Sequence, residues 1–213
     1  MSASPCFQPG LKPDPQQEKD RPRILLVVGD GAEVLDTMVP LYRLGEDFQV
    51  LIAAPEKRTY HLVIHELADG WDITEERPGY RLAADVAFRD VRTEDCVGLV
   101  LPGGRAPEYL RYDEDLIRIT REFFGEAKPV ASICHGIEIL GAADVIRGRE
   151  VATIPKCRFD AEVCGATYAK ESVVRAGNLI CARGKKDLSP WMRQFVQMIH
   201  EYLARTKSGG DSR

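Results

Sequence analysis

Long apolar runs are absent from this 213-residue sequence. None approaches the roughly 20 consecutive apolar residues that a membrane-spanning helix needs, so we expect no membrane span. Positive charge is not in excess either, because 29 Lys and Arg face 33 Asp and Glu, and the formal net charge is −4. This balance provides no electrostatic attraction for nucleic acid or for an anionic membrane, and we expect neither as a partner.

Paired cysteines are also missing. The six cysteines contain no Cys-x-x-Cys pair and no zinc-ligand spacing; they are Cys6, Cys96, Cys134, Cys157, Cys164 and Cys181. The N-terminal segment is rich in Pro, Gln, Lys and Asp and lacks the apolar stretch of a secretory signal. We therefore expect reduced thiols and a cytoplasmic location.

Signatures of bound cofactors and metals are absent as well. The run Gly29-Asp30-Gly31 lacks the full glycine pattern of a dinucleotide-binding loop. His61, His65 and His200 have no ligand spacing with any Cys or acid. We predict a protein that needs no cofactor and no metal.

Buried strands alternate with helices along most of the chain. The run 23–29 is continuously apolar between Pro22 and a glycine turn, as in a parallel strand buried on both faces. Predicted strands cover 23–29, 49–54, 97–101, 129–133, 151–153 and 178–181; predicted helices cover 32–44, 114–124, 135–143 and 188–204; short hairpin-like pieces fall at 61–65 and 71–74. Pro40 should kink or restart the first helix. The alternation predicts an α/β fold with a doubly wound, mostly parallel sheet and helices on both faces.

The length suits one sizeable α/β domain and is too short for two comfortable ones. No internal repeat or linker divides the pattern. We predict a disordered leader at 1–21, a single domain at 22–205 and a frayed tail at 206–213.

Three predicted strand ends carry distinctive residues, and ligands bind beyond the carboxyl ends of strands in such sheets. These ends are followed by Glu33 and Asp36, by Gly103-Gly104 and by Cys134-His135. A Cys at a strand-to-helix turn lies at a helix N-terminus, where unpaired N–H groups and the helix dipole favour the thiolate. The pattern predicts Cys134 as a nucleophile with His135 beside it, and Glu33 as a helix-start residue rather than a catalyst.

Two motifs in this order resemble the ThiJ/PfpI family, within the glutamine-amidotransferase-like superfamily. They are Pro129-Val-Ala-Ser-Ile-Cys-His-Gly136 and Leu101-Pro-Gly-Gly-Arg-Ala-Pro-Glu108. The likeness extends over residues 22 to 205, and the segment 69–79 resembles an insertion in the branch with glyoxalase-III-like members. The resemblance implies a flavodoxin-like sheet with a nucleophile elbow, in which Gly136 permits close packing of the turn.

The resemblance also implies roles for individual residues. Cys134 would be the nucleophile and His135 its proton-transfer partner. Glu108 matches the carboxylate that orients the His from a neighbouring subunit in PfpI-type members, which implies a homo-oligomer of at least two copies. The backbone amides of Gly104 and His135 match the family's oxyanion site.

The sequence departs from the family pattern in three places. Asp36 stands where the family usually has a Glu near the nucleophile, and Asp is shorter by one C–C bond, about 1.5 Å. The bond between carboxyl and sulfur should therefore lengthen or need a water, although isonitrile-hydratase-like relatives also carry Asp here. Ile137-Glu138 replaces the common Pro-Gln, and Lys185 stands where many relatives have Pro.

Three functions fit these features. The leading hypothesis is a glyoxalase-III-like conversion of small dicarbonyls such as methylglyoxal, through a Cys134 hemithioacetal. The second is a C–N bond hydrolase or hydratase of the PfpI or isonitrile-hydratase kind. The third is a non-enzymatic redox sensor or stress-linked holdase that uses oxidation of Cys134. Cys157 could act as a resolving thiol, although packing is the commoner role of such a residue.

Overall fold

The computed structural model of the protein describes residues 21–210, with side chains through Lys207. The strands are β1 (Arg23–Val27), β2 (Gln49–Ala54), β3 (Thr59–Leu67), β4 (Thr74–Ala83), β5 (Val86–Ala87), β6 (Cys96–Leu101), β7 (Val130–Ile133), β8 (Glu150–Val151), β9 (Thr167–Tyr168), β10 (Val173–Ala176) and β11 (Leu179–Ala182). The α-helices are α1 (Val34–Gly45), α2 (Pro107–Leu110), α3 (Glu114–Gly125), α4 (Ile137–Ala142), α5 (Arg158–Val163) and α6 (Leu188–Gly210). Short 3₁₀ turns connect several of them, including one at Cys134–Gly136 directly before α4.

Seven strands form the central sheet, in the order β10-β11-β7-β6-β1-β2-β5. All neighbours in it are parallel except the edge pair β10 and β11. Leu25 of β1 lies opposite Leu51 of β2 and Leu99 of β6 in the centre of the sheet. The predicted fold class is confirmed: a mostly parallel α/β sheet whose carboxyl ends share one edge.

The core lies between this sheet and the helices that cover it. In β1 the four residues after Arg23 are buried, because this strand is covered on both faces. The long helix α6 adds Trp191, Phe195 and Ile199, all fully buried and spaced to share one face. Packing on this scale holds the strand ends in place, and these strand ends carry the candidate site.

Helix α1 runs through Pro40 as a single helix, so of the two expected effects of this proline, a kink or a restart, the restart does not occur. Proline lacks the N–H that would bond four residues back, but packing of the buried face compensates for that one bond. The buried face contains Asp36 and Thr37 as well as apolar side chains. A polar pair on the core side of a helix indicates a function other than packing.

The polar segment after β2 forms a long antiparallel hairpin, β3–β4, separate from the central sheet. The predicted piece at 61–65 lies within β3, but the piece at 71–74 is wrong, because β4 begins only at Thr74. Its exposed tip carries Leu67, Trp71 and Ile73. The hairpin approaches the main sheet edge where Val63 pairs with Glu33, at the start of α1.

Other boundaries differ from prediction near the end of the chain. The predicted strand 151–153 is a two-residue strand, β8, which pairs with β9 in a separate small sheet. Strand β10 and helix α5 were not predicted, since their patterns are short and mixed. Helix α6 continues to Gly210, into the segment 206–213 that was predicted as a frayed tail. The rest of that tail and the predicted leader up to residue 20 lie outside the described residues.

Within the described range, no helix combines the length and apolarity that crossing a membrane requires.

Candidate active site

Cys134 occupies a strained turn at the carboxyl end of β7. Its φ of 56° lies in the left-handed region, which residues other than glycine rarely adopt. Such a conformation costs on the order of 1–3 kcal/mol and persists only where the surroundings enforce it. Here the Thr153 hydroxyl donates to the Cys134 carbonyl oxygen at 2.6 Å. The predicted strand-to-helix elbow is therefore present, and its strain presents the sulfur at the sheet edge.

Two glycines make room for this turn. A Cβ on Gly136 would overlap the Leu101 carbonyl oxygen, so only glycine fits between β6 and the elbow. A Cβ on Gly103 would lie 2.7 Å from Asp36 Oδ2 and 2.9 Å from Cys134 Sγ. Because real Cβ contacts are longer than this, the Asp36 carboxyl and the Cys134 thiol both pack directly against Gly103.

The His135 ring faces the sulfur. Its Nδ1 lies 3.3 Å from Cys134 Sγ, within hydrogen-bonding range for sulfur. Burial lowers the pKa of His135, although the charge of Glu108 acts in the opposite direction. The ring is thus neutral near pH 7 and can accept a proton.

The Asp36 carboxyl is almost completely buried, with 1% of its surface exposed. Burial and the neighbouring Glu33 carboxylate raise its pKa from 3.8 to about 8. The charge of Lys185, the Gly103 amide and the Cys134 thiol act in the opposite direction. A buried carboxyl of this kind is ready to exchange a proton near neutral pH, and its shorter side chain still reaches the elbow.

The expectation that the helix start holds Cys134 as a thiolate is wrong. Burial, followed by the charge of Asp36, raises the pKa of the thiol to about 12. The amides of Gly104 and His135 do donate toward the sulfur and lower this pKa, as a helix start should. These two contacts are outweighed, so the resting thiol is protonated, and its proton must leave when a substrate binds.

Glu33 and Lys185 extend the site in a way that the sequence did not reveal. Glu33 is the N-cap of α1, and its Oε2 accepts from the Asp36 backbone amide at 2.9 Å. Its other oxygen, Oε1, lies 3.0 Å from Lys185 Nζ, and the same ammonium donates to the His65 carbonyl of the hairpin. Glu33 is 2% exposed, so Lys185 provides the countercharge for a buried carboxylate beside Asp36.

Glu108 lies on α2, at the rim of the site. Its Oε1 accepts from Arg105 Nε at 2.6 Å, and its side chain is 42% exposed. Its charge nevertheless raises the pKa of His135, which shows that the two groups interact within one chain. The role of Glu108 across a subunit interface remains a prediction.

On the far side of His135 lie two buried groups, Glu138 and Cys157. The Cys157 thiol donates to Glu138 Oε1 at 3.7 Å, and Arg111 lies 3.4 Å from Oε2. One donor atom each of His135, Glu138 and Cys157 falls within 4.8 Å of the others. Burial raises the pKa of Cys157, which favours the packing role over that of a reactive resolving thiol. The sequence suggested that Cys157 approaches the site, but its contact with Glu138 was not predicted, because the two residues follow no metal-ligand spacing.

Fold and site together define an α/β protein with a nucleophile elbow, in which a cysteine at a strand-to-helix turn contacts a histidine and a buried carboxyl. The family model of the DJ-1/PfpI family matches residues 22–198, and the chain belongs to this family.

Relatives in this family carry enzyme names. A deglycase of Pyrococcus abyssi is 36% identical over 177 residues, which cover 83% of this chain and 99% of the relative. The putative cysteine protease YraA of Bacillus subtilis is 30% identical over 148 residues, covering 70% and 87% respectively. Among solved structures, Schizosaccharomyces pombe DJ-1 superposes with a TM-score of 0.68 at 17% identity, covering 87% of this chain and 97% of its own. The last comparison supports the fold alone.

Proposed function

We propose that this protein is a cofactor-independent cysteine enzyme that converts small dicarbonyls such as methylglyoxal to 2-hydroxy acids without glutathione. The observation that carries the proposal is the contact of three groups at one point. Cys134 Sγ lies 3.3 Å from His135 Nδ1, and the Asp36 carboxyl and the sulfur pack against the same side of Gly103. A nucleophile beside a neutral histidine and a carboxyl that titrates near pH 8 suits chemistry at a carbonyl carbon.

The first step moves the thiol proton. As Cys134 Sγ bonds to the aldehyde carbon, its proton passes to His135 Nδ1 or to ionised Asp36, and the carbonyl oxygen becomes an oxyanion. The amides of Gly104 and His135, which donate toward the sulfur at rest, stabilise this oxyanion. Protonation of the oxygen completes the hemithioacetal.

The second step is an isomerisation between adjacent carbons. A base removes the proton from the carbon that carries sulfur, the electron pair forms an enediol, and the neighbouring carbon takes up a proton. The product is a thioester of Cys134, which water cleaves to the free thiol and the 2-hydroxy acid. Asp36, with a pKa of about 8, is suited to both proton transfers because it changes charge near neutral pH.

The names of several relatives support carbonyl chemistry. Relatives from Pyrococcus abyssi, Thermococcus kodakarensis and Pyrococcus furiosus are named deglycases. The name denotes removal of a glycation adduct, in which a carbonyl-derived carbon is attached to another molecule. A site that forms a sulfur–carbon bond to a free dicarbonyl is suited to such an adduct as well.

A direct assay tests the proposal. Methylglyoxal is incubated with the protein in a buffer free of small thiols, and lactate is measured by chromatography. We expect lactate from the wild type and none above background from Cys134→Ala. The matched control is Cys164→Ser, a half-buried thiol outside the site, which should retain activity. Lactate production by Cys134→Ala would refute the mechanism.

A second candidate function is hydrolysis of a C–N bond. The relative named as a putative cysteine protease and the pair of amide donors at Cys134 favour it. An activated amide substrate should then give a burst of one product equivalent per active site, with no turnover of dicarbonyls.

The redox-sensor hypothesis is less well supported, because a thiol with a raised pKa is oxidised slowly.

We further propose that the working unit is a homo-oligomer in which Glu108 approaches the His135 of a neighbouring copy. Light scattering should then give a mass of at least two chains. Glu108→Gln should lower the pKa of His135, measured by NMR titration, by more in the oligomer than in the dilute monomer, where only the effect of Glu108 within one chain remains. Glu114→Gln, on the neighbouring helix α3, is the matched control. A monomer with full activity would exclude this arrangement.

A further inference from the structure

Half-buried His135 and buried Glu138 and Cys157 form a cluster with one nitrogen, one oxygen and one sulfur donor. His135 and Glu138 are three residues apart across the start of α4, a spacing that places both side chains on one face. Cys157 reaches the same point from a 3₁₀ turn at Pro155–Cys157, which leads into α5. Two segments that are distant in sequence thus bring three different metal-ligating groups together.

The burial of this cluster is unusual for polar groups. Cys157 is 2% exposed and Glu138 is 9% exposed. The thiol–carboxyl contact of 3.7 Å is a weak hydrogen bond, because a thiol is a weak donor. Buried polar groups are normally well paired, so these two are candidates for binding a ligand.

We propose that His135, Glu138 and Cys157 bind a zinc ion with three protein ligands and one open position. Zinc accepts thiolate, imidazole and carboxylate ligands at about 2.0–2.3 Å, which separates tetrahedral ligand atoms by roughly 3.5 Å. The donor atoms are within 4.8 Å of one another, so side-chain adjustments of about 1 Å close the site. The thiol disfavours hard ions such as magnesium and calcium.

The charges of the surrounding groups allow this ion. On binding, the Cys157 thiol releases its proton to solvent as the sulfur–zinc bond forms. Thiolate and carboxylate then supply two negative charges against the zinc ion, and the Arg111 guanidinium remains at the outer carboxylate oxygen. Because the ligating nitrogen belongs to His135, a bound zinc ion competes with the proton transfer that this ring performs for Cys134.

Cobalt(II) is the probe that tests the site, since its thiolate bond absorbs in the near ultraviolet. The full-length protein is treated with a chelator, reduced and titrated with cobalt(II) chloride under anaerobic conditions. We expect one equivalent to bind with a thiolate-to-cobalt band that zinc chloride abolishes. Cys157→Ser should remove the band, and Glu138→Gln should weaken binding at least 10-fold, as even outer-shell changes do at zinc sites.

Two further variants show which cysteine thiol binds the metal ion. Cys134→Ser and Cys164→Ser should both keep the band, and near-ultraviolet circular dichroism checks that each variant is folded. A band that survives Cys157→Ser and disappears in Cys134→Ser would place the metal on the nucleophile and overturn the proposal. The absence of any band in the wild type would overturn it too. Neither spectrum depends on turnover, so the result is independent of the proposed reaction.

Discussion

Asp36 and Cys134 lie on the same side of Gly103, and the charge of Asp36 raises the pKa of the Cys134 thiol. The carboxyl itself has a pKa of about 8, raised by burial and by Glu33. The two groups thus start in their neutral forms at low pH, and the carboxyl ionises first. When a substrate reacts with the thiol, the thiol proton can pass to the Asp36 carboxylate, which already contacts the sulfur. The proton therefore stays inside the site.

The first prediction separates proton transfer from thiol reactivity. Asp36→Asn should reduce kcat/KM for the carbonyl substrate by roughly 10²–10⁴-fold, because a positioned acid–base group is lost. The same change should increase alkylation of Cys134 by iodoacetamide at pH 9, since it removes a charge that raises the thiol pKa. Asp36→Glu, which keeps a carboxyl at this position, is the control for the loss of the acid–base group. Slower alkylation of Asp36→Asn would show that this charge does not act on the thiol.

The second prediction concerns the pH dependence of catalysis. If ionised Asp36 accepts the proton, kcat/KM should increase as pH rises through about 8. Lys185 lowers the pKa of Asp36, so Lys185→Met should move this rising limb to higher pH by on the order of one unit. Lys186→Met, one residue further along, is the matched control. An unchanged pH profile in Lys185→Met would mean that another group controls the limb.

The third prediction is a pH dependence of stability. The folded protein holds the Asp36 proton more tightly than the unfolded chain does, so Asp36 stabilises the fold below about pH 4. This stabilisation is lost as pH rises toward about 8. Relative to Asp36→Asn, the wild type should therefore lose roughly 3–6 kcal/mol in free energy of unfolding across this range. Urea denaturation of both proteins at several pH values measures the difference, and parallel curves would contradict it.

The fourth prediction tests the packing of the elbow. Gly103→Ala places a methyl group 2.7 Å from Asp36 Oδ2 and 2.9 Å from Cys134 Sγ. Either side chain must move, and displacements of about 1 Å commonly reduce catalysis on the order of 100-fold. Gly45→Ala is the matched control, since its added methyl group has no neighbour within 4 Å. Equal kcat/KM values for the two variants would show that the site tolerates displacement.

Local sequence patterns were sufficient for the main framework. The apolar runs that became β1, β2, β6 and β7 are continuous and bounded by Pro or Gly, so their burial could be predicted without knowledge of their neighbours. Strand β10 and helix α5 escaped prediction because each is short and only partly buried. Their positions depend on what they pack against rather than on periodicity.

In the candidate site, too, local sequence patterns predicted some features, and others depend on tertiary packing. The strand-to-helix turn predicted Cys134 as the nucleophile, and the family resemblance predicted the contact between His135 and the sulfur. The protonation state of Cys134 was mispredicted, since a helix start favours thiolate, whereas desolvation and the charge of Asp36 raise the pKa of this half-buried thiol. The sequence singled out Cys157 as a thiol that could approach the site and Lys185 as a departure from the family pattern, but not their contacts with Glu138 and Glu33.

The sequence by itself determined the class of sheet and the residue at its elbow, because hydrophobic periodicity and a glycine-flanked turn are local properties of the chain. Only the tertiary structure decided how readily Cys134 and Asp36 hold their protons, and which side chains surround His135. Burial and charge–charge interactions depend on distances between segments that are far apart in the chain, and folding sets those distances.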